Sequence, residues 1–231
     1  MCAVRDDVLA RNPCVGVELP RLPEPRSRFL EIQDVHRLAD AVPAEQRSFI
    51  LTLALGGLRW GEAAALRVRD VDFRHGTVRV DESLSAARDP KTQRHELTFQ
   101  QPKSRQSRTI AVPTILVDAL RERIGDLPLN PNRLLWTTRA GTPLRYSSWK
   151  RWVWDKAIET AGFDDVNPHD LRRTCASHMF AMGFTVPEVQ EYLGHADPAV
   201  TLGIYTRVTQ GRRAGATARW DSYLEGSSEA E

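Results

Sequence analysis

Apolar residues recur at helical spacing along most of the chain, with one interruption where the period changes. From Glu31 to Ala41, Ile32, Val35, Leu38 and Ala39 fall three or four apart, the mark of a helix with one buried face. Pro43 opens a second helix with an apolar face through Phe49, Ile50, Leu53 and Ala54, and Gly56-Gly57 closes it. Glu62 to Leu66 suffices for one further helical turn. The period then shortens. Val71 to Phe73 and Thr77 to Val80 flank His75-Gly76, which predicts a tight hairpin. His95 to Phe99 and Thr109 to Val112 flank a polar, basic tip, Gln100 to Ser107, which predicts a second. Helical spacing returns after Pro113, through Ile115, Leu116, Ala119, Leu120 and Arg123, and again from Ser147 to Ala161. Asn167-Pro168 reads as a helix start, Asn167 as N-cap, Pro168 as first helical residue and Asp170 in a capping-box place; Gly183 ends that helix. Val186 to Leu193 forms a short helix, and Pro198 opens another that carries Tyr205. The pattern predicts a mainly α fold with a small antiparallel β-sheet, an α+β class.

The ends read differently. Asn12-Pro13 stops a short N-terminal helix, and Pro20, Pro23 and Pro25 stiffen an extended stretch. Residues 1–28 are therefore expected to be a linker, the tail of an upstream domain. Residues 29–210 are expected to form the body, and 211–231 a polar C-terminal tail.

The chain has 231 residues, 41% of them hydrophobic, an ordinary globular composition. No apolar run approaches the ~18 residues that span a bilayer. Three scattered cysteines, Cys2, Cys14 and Cys175, fit neither a disulfide framework nor a zinc spacing, so a reducing cytoplasm is expected. Net charge is only +2, but the charge is unevenly placed. Leu97 to Val117 holds Lys103, Arg105 and Arg108 and no acid; Leu127 to Trp154 holds Arg133, Arg139, Arg145, Lys150 and Arg151 and no acid. Such stretches suit either solvated loops or one face for a polyanion, with Arg105, Arg108, Arg139 and Arg145 as candidate DNA contacts.

Three short constellations carry chemistry. In Asn167-Pro168-His169-Asp170-Leu171-Arg172-Arg173-Thr174, His169 and Arg172 share a helix face in the first turn, where free N–H groups favour an anion. In Gly56-Gly57-Leu58-Arg59-Trp60-Gly61-Glu62, an arginine follows a double glycine, with Glu62 placed to hold its guanidinium. In Leu193-Gly194-His195, the histidine precedes Tyr205 by ten residues. Each alone also reads as a structural feature: a surface ion-pair face, an internal Arg59–Glu62 pair, a helix end and a packed tyrosine.

Taken in order, the set resembles the tyrosine recombinase (phage integrase) family, over about Arg28 to Val208. The arginine box reads GGLRWGEAAAL, the lysine hairpin PKSRQSRTIAVP, the second box NPHDLRRT, and the last two LGHADPAVTLGIYT. Arg173 departs from the second histidine of many members, at a position without a catalytic role. The resemblance implies a catalytic set of Arg59, Lys103, His169, Arg172, His195 and Tyr205. Two arginines clamp the non-bridging oxygens of a phosphodiester, which gains negative charge during attack. Tyr205 is the nucleophile, His169 the base, Lys103 the acid on the leaving 5′-oxygen, and His195 a donor to a non-bridging oxygen. The product is a 3′-phosphotyrosine and a free 5′-hydroxyl, without cofactor or metal. The resemblance further implies double-stranded DNA as partner, a homotetramer in the synaptic complex from chains that are monomers in isolation, no membrane, and a cytoplasmic, nucleoid-associated setting. Three other readings stay open here: a type IB topoisomerase with the same chemistry, a DNA-binding protein without catalysis, and a metal hydrolase built on His169, Asp170 and His195.

Overall fold

The computed structural model describes residues 4, 8–17, 28–88, 95–102, 107–125, 127, 130–195 and 197–209. Lys103 and Arg105, most of the expected linker and the whole expected tail lie outside the described residues.

The chain begins its core with helices α1 (Ile32–Asp40) and α2 (Ala44–Leu55), which pack on each other. The apolar face expected of α2 understates its burial: Leu51 and Thr52 are buried as well as Phe49, Ile50, Leu53 and Ala54, so the helix is enclosed on all sides. Its polar residues survive there by pairing. Ser48 Oγ accepts from Trp136 Nε1 at 3.0 Å and Gln46 Oε1 from Trp149 Nε1 at 3.1 Å. Short helix α3 (Trp60–Ala65) follows, and α4 (Thr114–Gly125) packs on α2.

Among the described residues five strands lie between α3 and α4. The first expected hairpin is present, as β1 (Val71–Asp72) against β2 (Thr77–Val80). The second is not. β4 (His95–Gln100) pairs antiparallel with β3 (Ser83–Arg88), while β5 (Arg108–Ala111) joins β2, with Val78 opposite Ile110. Two sheets result, β1-β2-β5 and β3-β4, and residues 101–107 connect them. The reason lies in β3, whose Ser-Leu-Ser-Ala-Ala-Arg sequence is poor in β-branched and aromatic residues and gives little strand signal. It pairs because Leu84, opposite Phe99, is buried in the core.

The tryptophan-rich helix is continuous but irregular. α5 (Tyr146–Trp149) passes into α6 (Asp155–Thr160) through a π-helical turn, Lys150–Trp154. The wider turn lets Trp149 and Trp154, five residues apart, both face the core with ring centroids 5.8 Å apart. Helices α7 (Pro168–Ala181), α8 (Val186–Leu193) and α9 (Pro198–Thr209) then form a second, smaller apolar cluster from Cys175, Ala176, Met179, Phe180, Val189, Leu193 and Ile204. Leu171 belongs to the main core and Cys175 to the small one. Arg172 therefore stands at the seam between the two.

Candidate active site

Two glycines let that seam close. Gly57, after α2, has φ +62°, and a Cβ there would stand 2.4 Å from Leu193 Cδ2 and 3.0 Å from Cys175 Sγ. Gly194 caps α8 with φ +67°, and a Cβ would meet the Arg108 guanidinium at 2.9 Å. Both need left-handed backbone and a missing side chain. Between them the chain brings Arg59, Arg172 and His195 together.

Arg172 is 2% exposed, yet its charge is well met. Nη1 donates to Gly57 O at 2.7 Å, Nη2 to Leu193 O at 2.6 Å, and Nε to His195 Nε2 at 3.2 Å. Burial, then the charge of Arg59, pulls its pKa down to about 9, so it stays a cation at neutral pH. Arg59 caps α3 from extended backbone. Its Nη1 donates to Glu62 Oε1 at 2.8 Å and its Nη2 to Gly194 O at 3.3 Å. The guanidiniums thus touch the consecutive carbonyls of Leu193 and Gly194.

Glu62 is the hub. Its side chain is fully buried, with Arg59 on Oε1, Arg108 Nη2 at 2.7 Å from Oε2, and Arg172 Nη1 at 3.8 Å. Burial alone would raise its pKa. The hydrogen bond and charge of Arg108, the charge of Arg172 and the Arg59 amide outweigh burial and hold it at about 2. Three cations around one carboxylate leave a net positive centre, the right sign for a phosphodiester.

The two histidines are neutral at neutral pH. His169, in the first turn of α7, has its pKa lowered by desolvation and then by Arg173, Arg172 and Arg59. His195 is lowered to about 3 by burial, then Arg172 and Arg59. Its Nδ1 lies 2.7 Å from Thr201 Oγ1, on α9 and fully buried. Thr201 stands one helical turn before Tyr205 on the same helix, a spacing that does not by itself mark it as a partner of His195.

Tyr205 is 39% exposed, and its ring lies edge-on to Phe180 at 5.2 Å. Phe180 is eight residues beyond Arg172 on α7, about 12 Å along the axis. Tyr192 is committed elsewhere: its hydroxyl donates to Leu55 O at 3.2 Å and burial raises its pKa. Tyr146 lies on the surface against Trp60, 5.2 Å between ring centres.

The other expected residues divide. Arg108 is turned inward: 9% exposed, it is held by Glu62 and by Tyr192 O at 3.0 Å, which makes it part of the centre's scaffold. Arg139 and Arg145 are exposed, Arg145 directly before Tyr146, whose ring meets Trp60. Asp170 is buried against its own helix cap, accepting from the Asn167 amide at 3.0 Å, and pairs with Arg173 at 3.1 Å. It is thereby spent on the helix start. Among the described residues no three His, Cys, Asp or Glu side chains gather as metal ligands, and the guanidiniums here would repel a cation. Cys175, its thiol pushed up to about 12 by burial, is inert packing.

Residues 28–212 match the phage integrase family along most of the chain. The chain belongs to that family. Similar members include a XerC-like tyrosine recombinase of Caldanaerobacter subterraneus subsp. tengcongensis, 29% identical over 93% of this chain and 60% of that protein. The tyrosine recombinase XerA of Pyrococcus furiosus is also 29% identical, over 82% of this chain and 60% of that one. The chain thus spans about 60% of the length of these relatives. In fold it is similar to the Tn1549 transposon integrase solved in complex with transposon right end DNA, at TM-score 0.76 and 18% identity, covering 95% of this chain and 74% of that one. Among the described residues no helix is long and apolar enough to cross a membrane.

Proposed function

We propose that this chain is the catalytic portion of a site-specific DNA recombinase that cuts and rejoins double-stranded DNA through a 3′-phosphotyrosine. One observation carries the reading: Arg59 and Arg172, from separate elements, meet on adjacent carbonyls beside neutral His195, with the Tyr205 helix tied to the same histidine.

A phosphodiester seated on this centre gives its non-bridging oxygens to Arg59, Arg172 and His195. The Tyr205 oxygen attacks phosphorus as its proton passes to His169, which is neutral and so able to accept it. The bond from phosphorus to the 5′-oxygen breaks, and Lys103 supplies that oxygen's proton. Lys103 lies in the connector that ends at Arg108 five residues later, at most about 17 Å of chain from an anchor on Glu62. The 5′-hydroxyl of a second strand reverses the sequence, and no nucleotide cofactor is spent. Arg139 and Arg145 serve as phosphate contacts that position the duplex, with Arg105 from the connector. Residues 29–210 act as the catalytic unit, 1–28 as its linker, and 211–231 as a segment exchanged between protomers of a synaptic tetramer.

Strand transfer tests this against simple nicking and relaxation. Protein incubated in EDTA with a nicked duplex of randomised core sequence should form an adduct. A second duplex with a 5′-hydroxyl end should then take the joined strand. Adduct that religates only its own strand would favour a topoisomerase, and activity that EDTA abolishes and magnesium or zinc restores would overturn the proposed chemistry.

A further inference from the structure

A guanidinium only donates, so in the resting site His195 Nε2 accepts from Arg172 Nε at 3.2 Å. A neutral ring with a lone pair on Nε2 carries its proton on Nδ1, and Thr201 Oγ1, 2.7 Å away, accepts it. In that form His195 has no N–H to offer a substrate oxygen. The role assigned to it requires the other tautomer, with Nε2–H as donor.

We propose that Thr201 is a positioning residue whose hydroxyl reverses its role when phosphate enters, letting His195 change from acceptor to donor. The inference rests on the recombinase reading of the site. A phosphate oxygen entering between Arg172 Nε and His195 Nε2 offers lone pairs to both. The half-buried ring takes a proton from solvent on Nε2 and loses its Nδ1 proton to solvent as it swings clear of Thr201 on phosphate entry, with no change in net charge. Thr201 then turns its own O–H toward the bare Nδ1. A hydroxyl can do this because it is both donor and acceptor; a carboxylate or carbonyl in its place would lock the resting tautomer. Fully buried, Thr201 has no water to substitute for it. It also stands one turn before Tyr205 on α9. The same hydrogen bond that orients the imidazole therefore ties the nucleophile's helix to the phosphate site.

Histidine-selective nitrogen NMR separates the two ring nitrogens and needs no cleavage. In wild-type protein His195 should be protonated at Nδ1 alone, and added inorganic phosphate should shift the proton to Nε2. Thr201→Val, equal in shape without the hydroxyl, should lose this response while it still folds, its melt lowered by about 2–10 °C, and DNA binding stays near wild type. Its adduct formation on the randomised nicked duplex should slow by about tenfold, the worth of one buried hydrogen bond, and Thr201→Ser should restore both readouts. A ring that keeps its tautomer in phosphate overturns the proposal, as does a Thr201→Val protein that forms adduct at the wild-type rate. If wild type forms no adduct on any duplex, the recombinase reading fails, while the phosphate response of the ring still decides the role of Thr201.

Discussion

Replacing Glu62 by glutamine removes one charge from the centre and almost no volume. In the native chain its carboxylate neutralises part of the field of Arg59, Arg108 and Arg172, and it is fully buried among them. Its pKa is held at about 2 rather than the ordinary 4.5, a preference for the charged form of about 3 kcal/mol. Breaking a buried ion pair by removing one partner costs a similar amount, about 3–5 kcal/mol. In a domain of this size each kcal/mol moves the melting temperature by about 2–4 °C. Glu62→Gln should therefore melt roughly 6–12 °C below wild type at pH 7. The pH dependence gives the sharper check. A carboxyl with a depressed folded pKa contributes fully above about 4.5, and that contribution fades as pH falls toward about 2. The gap between the two melting curves should thus be widest at neutral pH and shrink through this window. Calorimetry or circular dichroism on both proteins from pH 7 to the acid limit of solubility reads it out. A variant within about 2 °C of wild type at pH 7 would show that the cluster is not held by this charge, and a gap independent of pH would exclude the ionic origin argued here.

Other outcomes follow from the same geometry. His195 is kept neutral, with a folded pKa of about 3; below the ordinary histidine value the unfolded chain takes up a proton that the folded one refuses. Its contribution to stability should therefore be lost as pH falls from about 6.5 toward 3, and His195→Asn should flatten that part of the wild-type stability curve. An unchanged curve would deny that His195 is the group responsible. If Lys103 protonates the leaving oxygen, Lys103→Ala should be slow on ordinary DNA and largely rescued by sulfur at the bridging 5′ position. Equal defects on both would reduce Lys103 to a phosphate contact. DNA binding by this chain should fall steeply with salt, since arginines on phosphates supply most of it, and a flat salt dependence would contradict that.

Much of this was legible in the sequence because the chemistry is local. His169 and Arg172 lie within one turn of a helix whose N-cap, proline and capping acid are all visible, and the cap forms as expected. Glu62 follows Arg59 by three residues, so their pairing could be read from spacing. What could not be read depends on contacts between distant segments. The inward turn of Arg108 needs the β5–α8 approach, 84 residues apart in sequence at Tyr192. The β3–β4 pairing rests on burial of Leu84 in a strand with weak propensity. Thr201 had a signal, its one-turn offset from Tyr205, but nothing local tells a packed threonine from one that faces an imidazole.

The central claim is that Tyr205 becomes covalently joined to DNA. Its phenol rests on Phe180, on the one helix that the site holds through His195 and Thr201, while Tyr192 is bound to Leu55 O. Wild-type protein should be incubated with the nicked duplex of randomised core, denatured, digested with protease, and the nucleotide-bearing peptide sequenced by mass spectrometry. The account predicts a phosphotyrosyl nucleotide on the peptide containing Tyr205, and none from Tyr205→Phe, which should still bind DNA. A nucleotide on any other residue, or cleavage by Tyr205→Phe, would contradict it.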